Sequence, residues 1–269
     1  MGEYRYIETR REGAALVATL LNPPRNFLNQ TMVEEIKRLA AEVAADETVR
    51  ALVLTGGVEG IFITHYDVRE LTAASEIARQ RESFGAGPEL HGMHQALLAL
   101  QSLPKPVIAA INGTAMGGGC ELALACDFRY MAKGGMIGLP EVRVGILPGA
   151  GGTQRMARLL GTSKALELML LGQVVGAETA ERIGLVHRAV EPESLMAEAL
   201  ALAEELSQRP PLSVALIKRL VLEGSEMPLL EGLRLEQELF WQTMRSEDAA
   251  RLMREYVEGG QRDIAGSEE

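Results

Sequence analysis

The feature that most constrains this fold is the change of hydrophobic period along the chain. Short apolar or β-branched runs alternate with helical segments in the first half, and the last third is almost wholly helical in period. That order predicts an α/β core, taken here as residues 1–195, followed by a helical region, residues 196–269. Strands are expected at Ala14–Leu21, Ala51–Thr55, Pro106–Ile111, Phe128–Ala132 and Leu185–Val190, each bounded by Gly, Pro, Asn or charge. Leu90, Met93, Leu97 and Leu100 share one helical face, as do Leu195, Ala199, Leu202 and Leu206. Ser75–Pro88 mixes charge with Gly and Pro and is the expected mobile segment, while the polar tail Gln261–Glu269 is expected to fray.

Apolar residues make up 47% and charged residues 24% of the chain, the balance of a folded, water-soluble protein. A net charge of −10 argues against nucleic acid or anionic lipid as partner, so an anionic ligand must be held by local groups. No apolar run is long enough to span a membrane, and the polar start lacks the order of a signal peptide. Tyr6 stands where a myristoylation motif wants Ser or Thr. Cys120 and Cys126 have no zinc-like spacing, and a reducing, cytoplasmic location is expected.

Two segments carry candidate chemistry. Ala110–Glu121 reads as a strand entering the turn Gly117-Gly118-Gly119, with Glu121 in the helix that follows. Glycines admit a ligand close to the backbone, and unpaired N–H groups there can hold developing negative charge. The alternative, that the glycines serve packing alone, stays open on this segment by itself. The glycine spacing fits neither a phosphate loop nor a dinucleotide fingerprint. In Ile137–Arg155, Glu141 sits among apolar residues, where a carboxylate resists ionisation and its pKa rises toward neutral. Such a group suits proton transfer.

Together with Asn26-Phe27-Leu28-Asn29, Leu103–Gly113 and the C-terminal Glu231–Glu236, these segments make the chain resemble the enoyl-CoA hydratase/isomerase (crotonase) family over nearly its whole length. The resemblance implies a spiral core of β-β-α units and a C-terminal helical region that packs into homotrimers, often paired into homohexamers. It implies an acyl-CoA substrate with coenzyme A as part of the thioester, and no metal or other cofactor. By motif position, the amides holding the thioester oxygen fall on Gly118 and Thr64. Glu141 would exchange the α-proton, Glu121 would activate water for the β-carbon, and the Gly149 amide would help hold that water. The first glutamate favours hydration over isomerisation.

Gly60–Leu71 departs from the family pattern, because His65 and Tyr66 stand where Gly and Ala are usual. Bulky, titratable side chains there can narrow the pocket or add an acid or base, or they can turn outward or stack on neighbours. They leave open another reaction of the family, namely isomerisation, thioester hydrolysis or C–C bond cleavage. A non-catalytic acyl-CoA-binding scaffold is the alternative from a different class. The expected CoA contacts are Arg25, Thr64, His65, Tyr66, Asp67 and Arg69. His91, His94 and His187 read as structural, Met93, Met116, Met131 and Met136 as core filler, and Trp241 as a helix-packing aromatic.

Overall fold

A computed structural model describes residues 2–80 and 89–259. Ten strands are described: β1 (Ile7–Glu12), β2 (Ala15–Leu20), β3 (Ala51–Gly56), β4 (Ile61–Ile63), β5 (Val107–Ile111), β6 (Thr114–Met116), β7 (Phe128–Ala132), β8 (Met136–Gly138), β9 (Val174–Gly176) and β10 (Arg188–Val190). The helices α1 (Gln30–Ala45), α2 (Val68–Arg79), α3 (Gly92–Gln101), α4 (Gly118–Leu124), α5 (Gly152–Leu160), α6 (Thr162–Leu170), α7 (Ala177–Arg182) and α8 (Leu195–Ser207) lie in the same unit, residues 1–207. A second unit, residues 208–269, carries α9 (Pro211–Gly224), α10 (Leu229–Met244) and α11 (Glu247–Glu258).

The strand pairs β3–β4, β5–β6 and β7–β8 each place one strand in either of two sheets before the chain passes to helices, which is the expected spiral of β-β-α turns. The larger sheet runs β1-β2-β3-β5-β7-β10 and is parallel beyond its β1–β2 hairpin; the smaller runs β4-β6-β8-β9. Both faces of the central strands are buried, which explains why they read as continuous apolar runs. Leu52, Leu54, Val107, Ala109 and Ile111 enter the main core with α1 and α3, while Ala51, Val53, Ile108 and Ala110 enter a second core beneath α8.

That second core moves the expected boundary. Leu195, Ala199 and Ala203 of α8 pack on the larger sheet, so the first unit runs to residue 207 rather than 195. Leu90 lies ahead of α3 and is exposed, whereas Met93, Leu97 and Leu100 are buried as expected. The proposed mobile segment is divided: its first residues belong to α2, and 81–88, like 260–269, lie outside the described residues. No helix among the described residues is long and apolar enough to cross a membrane.

Two buried polar side chains tie loops to this frame. Glu35 of α1 accepts the amides of Arg5 and Tyr6 at 2.6 and 2.9 Å, which fixes the approach to β1. Asn26, fully buried with φ of 49°, accepts the Asn22 amide at 2.7 Å and donates to the carbonyls of Leu20 and Phe62 at 3.0 and 2.5 Å. It therefore joins the end of β2 to β4, where the candidate site begins. Asn26→Ala strands these groups and strains a left-handed residue, and should cost about 2–4 kcal/mol in urea unfolding. Asn26→Gly, which relieves only the backbone, should cost measurably less.

Candidate active site

The site starts from the glycine turn between β6 and α4. Gly117 has φ of 52° and donates its amide to Gly138 O at 3.0 Å, which locks the turn to β8. A Cβ on Gly119 would lie 2.4 Å from the carbonyl oxygen of Ile63, so a glycine is required for α4 to rest on β4 backbone to backbone. This contact delivers Gly118 to the cavity wall and Glu121, one turn later, to its interior.

Glu121 is buried, yet its carboxylate is well served. Its Oε1 accepts the amides of Ala150 and Gly152 at 2.7 and 2.9 Å. Burial raises its pKa above the ordinary carboxylate value, and the two amides, Arg155 and His91 offset that rise only in part. Glu141 opens a 3₁₀ turn, Glu141–Val144, after β8. Its Oε2 is buried and has no hydrogen-bond partner among the described residues. Burial, reinforced by the nearby charge of Glu121, pushes the Glu141 pKa up to about 7. Both carboxyls line one cavity of about 1130 Å³, and among the described residues neither forms a salt bridge.

The segment after β4 overturns one expectation. Thr64 turns its amide to Asn26 O at 3.3 Å and its hydroxyl to Arg25 O, and it is not among the described residues lining the cavity. Tyr66 does line it. His65 O and Asp67 N bond to Leu28, so the Tyr66 N–H points away from Leu28. A Cβ on Gly118 would lie 3.5 Å from Tyr66 N. The amide facing Gly118 thus belongs to Tyr66, two residues beyond the motif position assigned from sequence.

His65 and Tyr66 both line the cavity, and neighbours hold each in place. The His65 ring stacks on Phe27 with centroids 4.7 Å apart, and its Nδ1 donates to Tyr66 O at 2.7 Å. The Tyr66 phenol bonds Glu70, and burial with that carboxylate raises its pKa well above the ordinary value. Asp67 caps α2 and pairs with Arg69 at 2.8 Å, which holds its carboxyl below the usual range. Arg25, Asp67 and Arg69 are absent from the cavity wall among the described residues. Gly149 lines that wall.

Sequence reading missed two contributions. His91 lines the cavity and bonds Gly149 O at 2.8 Å, a contact across the fold that helical period cannot reveal. Helix α2 has no buried residue, and Val68, Leu71 and Ile77 instead face the cavity. The three-residue spacing of Val68 and Leu71 was the available signal, and Ile77, six residues further on, stands about 120° round the helix.

The spiral core thus brings its glycine turn and two carboxyls to one largely apolar cavity, the form of a small-molecule site. The family model for enoyl-CoA hydratase/isomerase matches residues 10–266, and the chain belongs to that family. It is 36% identical over 257 residues to the short-chain-enoyl-CoA hydratase of Clostridium acetobutylicum, covering 95% of this chain and 96% of the relative. It is 35% identical over 245 residues to the crotonyl-CoA hydratase of Syntrophomonas wolfei, covering 90% and 92%. The crystal structure of an enoyl-CoA hydratase from Bacillus anthracis superposes with a TM-score of 0.85 at 29% identity, over 95% of this chain and 97% of that one. The fold is the crotonase fold.

The strain on Glu141 has a readable sign. Its pKa rises from 4.5 to about 7 on folding, so the unfolded chain gives up this proton more easily, and stability falls as pH climbs through that window. Glu141→Gln lacks this cost. Its stability relative to wild type should increase by about 1–2 kcal/mol between pH 4.5 and 8, a value discounted for partial exposure, in urea melts at a series of pH values.

Proposed function

We propose that the protein is an enoyl-CoA hydratase, adding water across the α,β double bond of an acyl-CoA thioester. The observation that carries this reading is the unequal treatment of two carboxyls in one cavity: Glu121 holds two amide donors, and Glu141 has a buried oxygen without a hydrogen-bond partner among the described residues. Burial raises both carboxyls, but the amide donors offset part of that at Glu121, so Glu121 holds the carboxylate more readily and Glu141 the proton, which is the division of labour that hydration needs.

In this mechanism the amides of Gly118 and Tyr66 bind the thioester oxygen. Glu121 takes a proton from water as the water oxygen bonds to the β-carbon. Charge moves through the α-carbon to the thioester oxygen, and Glu141 delivers its proton to the α-carbon. The Gly149 amide is the proposed further contact to the water. Atoms balance as one water gained per thioester, and Glu121 and Glu141 must exchange protons with solvent before the next turnover. The Tyr66 phenol, tied to Glu70 and hard to ionise, positions the wall rather than transferring the proton.

The expected self-association draws support from the large apolar side chains that the second unit leaves exposed, among them Leu229, Leu230, Ile217 and Val221. The family's trimer, alone or paired, is the proposed assembly, and sedimentation would read its mass.

A panel of enoyl-CoA and β-ketoacyl-CoA thioesters, with products weighed, tests the reaction: gain of one water supports hydration, whereas release of free CoA or an isobaric product overturns it. Glu141→Gln and Glu121→Gln should each lower kcat at least about 10²-fold while the fold is retained. In wild type, kcat for hydration should fall as pH rises above about 7, because Glu141 then loses the proton it must donate.

A further inference from the structure

One peptide group in the cavity wall is held by side chains at both ends. The carbonyl of the Gly149–Ala150 peptide pairs with His91 Nε2 at 2.8 Å, and its N–H donates to Glu121 Oε1 at 2.7 Å. A carbonyl oxygen can only accept, so His91 carries a proton on Nε2. The next carbonyl, that of Ala150, is taken by Arg155 Nη1 at 2.9 Å, and Arg155 Nε is anchored by Gln101 Oε1 at 2.8 Å. The His91 ring is itself braced by the ring of His94, with centroids 4.2 Å apart.

We propose that His91 is a positioning residue for the hydration reaction: its hydrogen bond to Gly149 O fixes and polarises the peptide whose N–H holds Glu121, keeping that carboxylate aimed at the water. This inference rests on the hydratase reading and extends it to a side chain outside the proton-transfer pair. A donor on the carbonyl strengthens the N–H at the other end of the same amide, because linked hydrogen bonds polarise one another. A stronger donor stabilises the charged form of the acceptor.

Among the described residues, the charged or titratable groups around His91 are His94 on its own helix, Glu121 from α4 and Arg155 from α5, with Glu34 of α1 beside the neighbouring Gly92. Arg155 keeps its positive charge at any working pH, so removal of His91 weakens the hold on Glu121 without abolishing it. The effect is therefore graded.

The test compares wild type, His91→Phe and His91→Gln as full chains. Phenylalanine keeps the ring and loses the donor, while the glutamine amide can donate to the same carbonyl. One readout is the pH dependence of kcat and KM with a short enoyl-CoA. The other is the carbon NMR titration of the Glu121 carboxyl, assigned with Glu121→Gln. His91→Phe should lower kcat about 5–10-fold, the size of one lost hydrogen bond, with KM changed less than about twofold. The Glu121 titration and the acid limb of the profile should move to higher pH, and His91→Gln should recover most of both. An unmoved Glu121 titration in His91→Phe overturns the proposal, as does a loss that glutamine fails to rescue and that tracks a lowered Tm. If wild type hydrates no enoyl-CoA, the hydratase reading falls, and the Glu121 titration alone decides the linkage to His91.

Discussion

The chemistry of this molecule depends on a contact between two stretches of backbone. Where α4 begins, Gly119 lies against the carbonyl of Ile63 so closely that no side chain fits between them. Because the helix can approach β4 to that distance, Gly118 reaches the neighbourhood of Tyr66, and Glu121 reaches the interior of the cavity. A looser contact would separate the two amides that the proposed mechanism places on a single oxygen atom. Asn26 holds the other side of the junction, because it binds Phe62 O in the middle of the same strand.

Desolvation acts on both carboxyls, and hydrogen bonding separates them. Glu121 loses water but receives two amides from the Ala150–Gly152 turn, with Arg155 close by. Glu141 loses water and, among the described residues, receives no donor on Oε2. Two residues of one type thereby differ in readiness to hold a proton. The difference belongs to the loops that meet them rather than to the glutamates.

Sequence patterns reached the parts of the fold with strong local signatures. The buried parallel strands β2, β3, β5 and β7 read as continuous apolar runs, since both their faces are covered. Strands β4, β6, β8 and β9, three residues each, are too short for a period to register, and β1 is mostly polar with only Ile7 buried. At the site, the glycine turn and both glutamates stood out because their residue types are costly unless used. The amide facing Gly118 did not. Motif position pointed to Thr64, but which N–H faces a cavity depends on strand pairing with Leu28, a contact between segments far apart in sequence. His91 escaped for the same reason, since its partner Gly149 lies on a remote loop.

Helix α2 carries a further implication. Its apolar side chains Val68, Leu71 and Ile77 enter no core cluster among the described residues and face the cavity. An aliphatic tail laid along that wall would complete the missing layer, and part of its binding free energy would be spent consolidating α2. Guest and host would share one hydrophobic interior: amide exchange in α2 should slow as the tail lengthens, and melting temperature should rise with it, until the wall is covered.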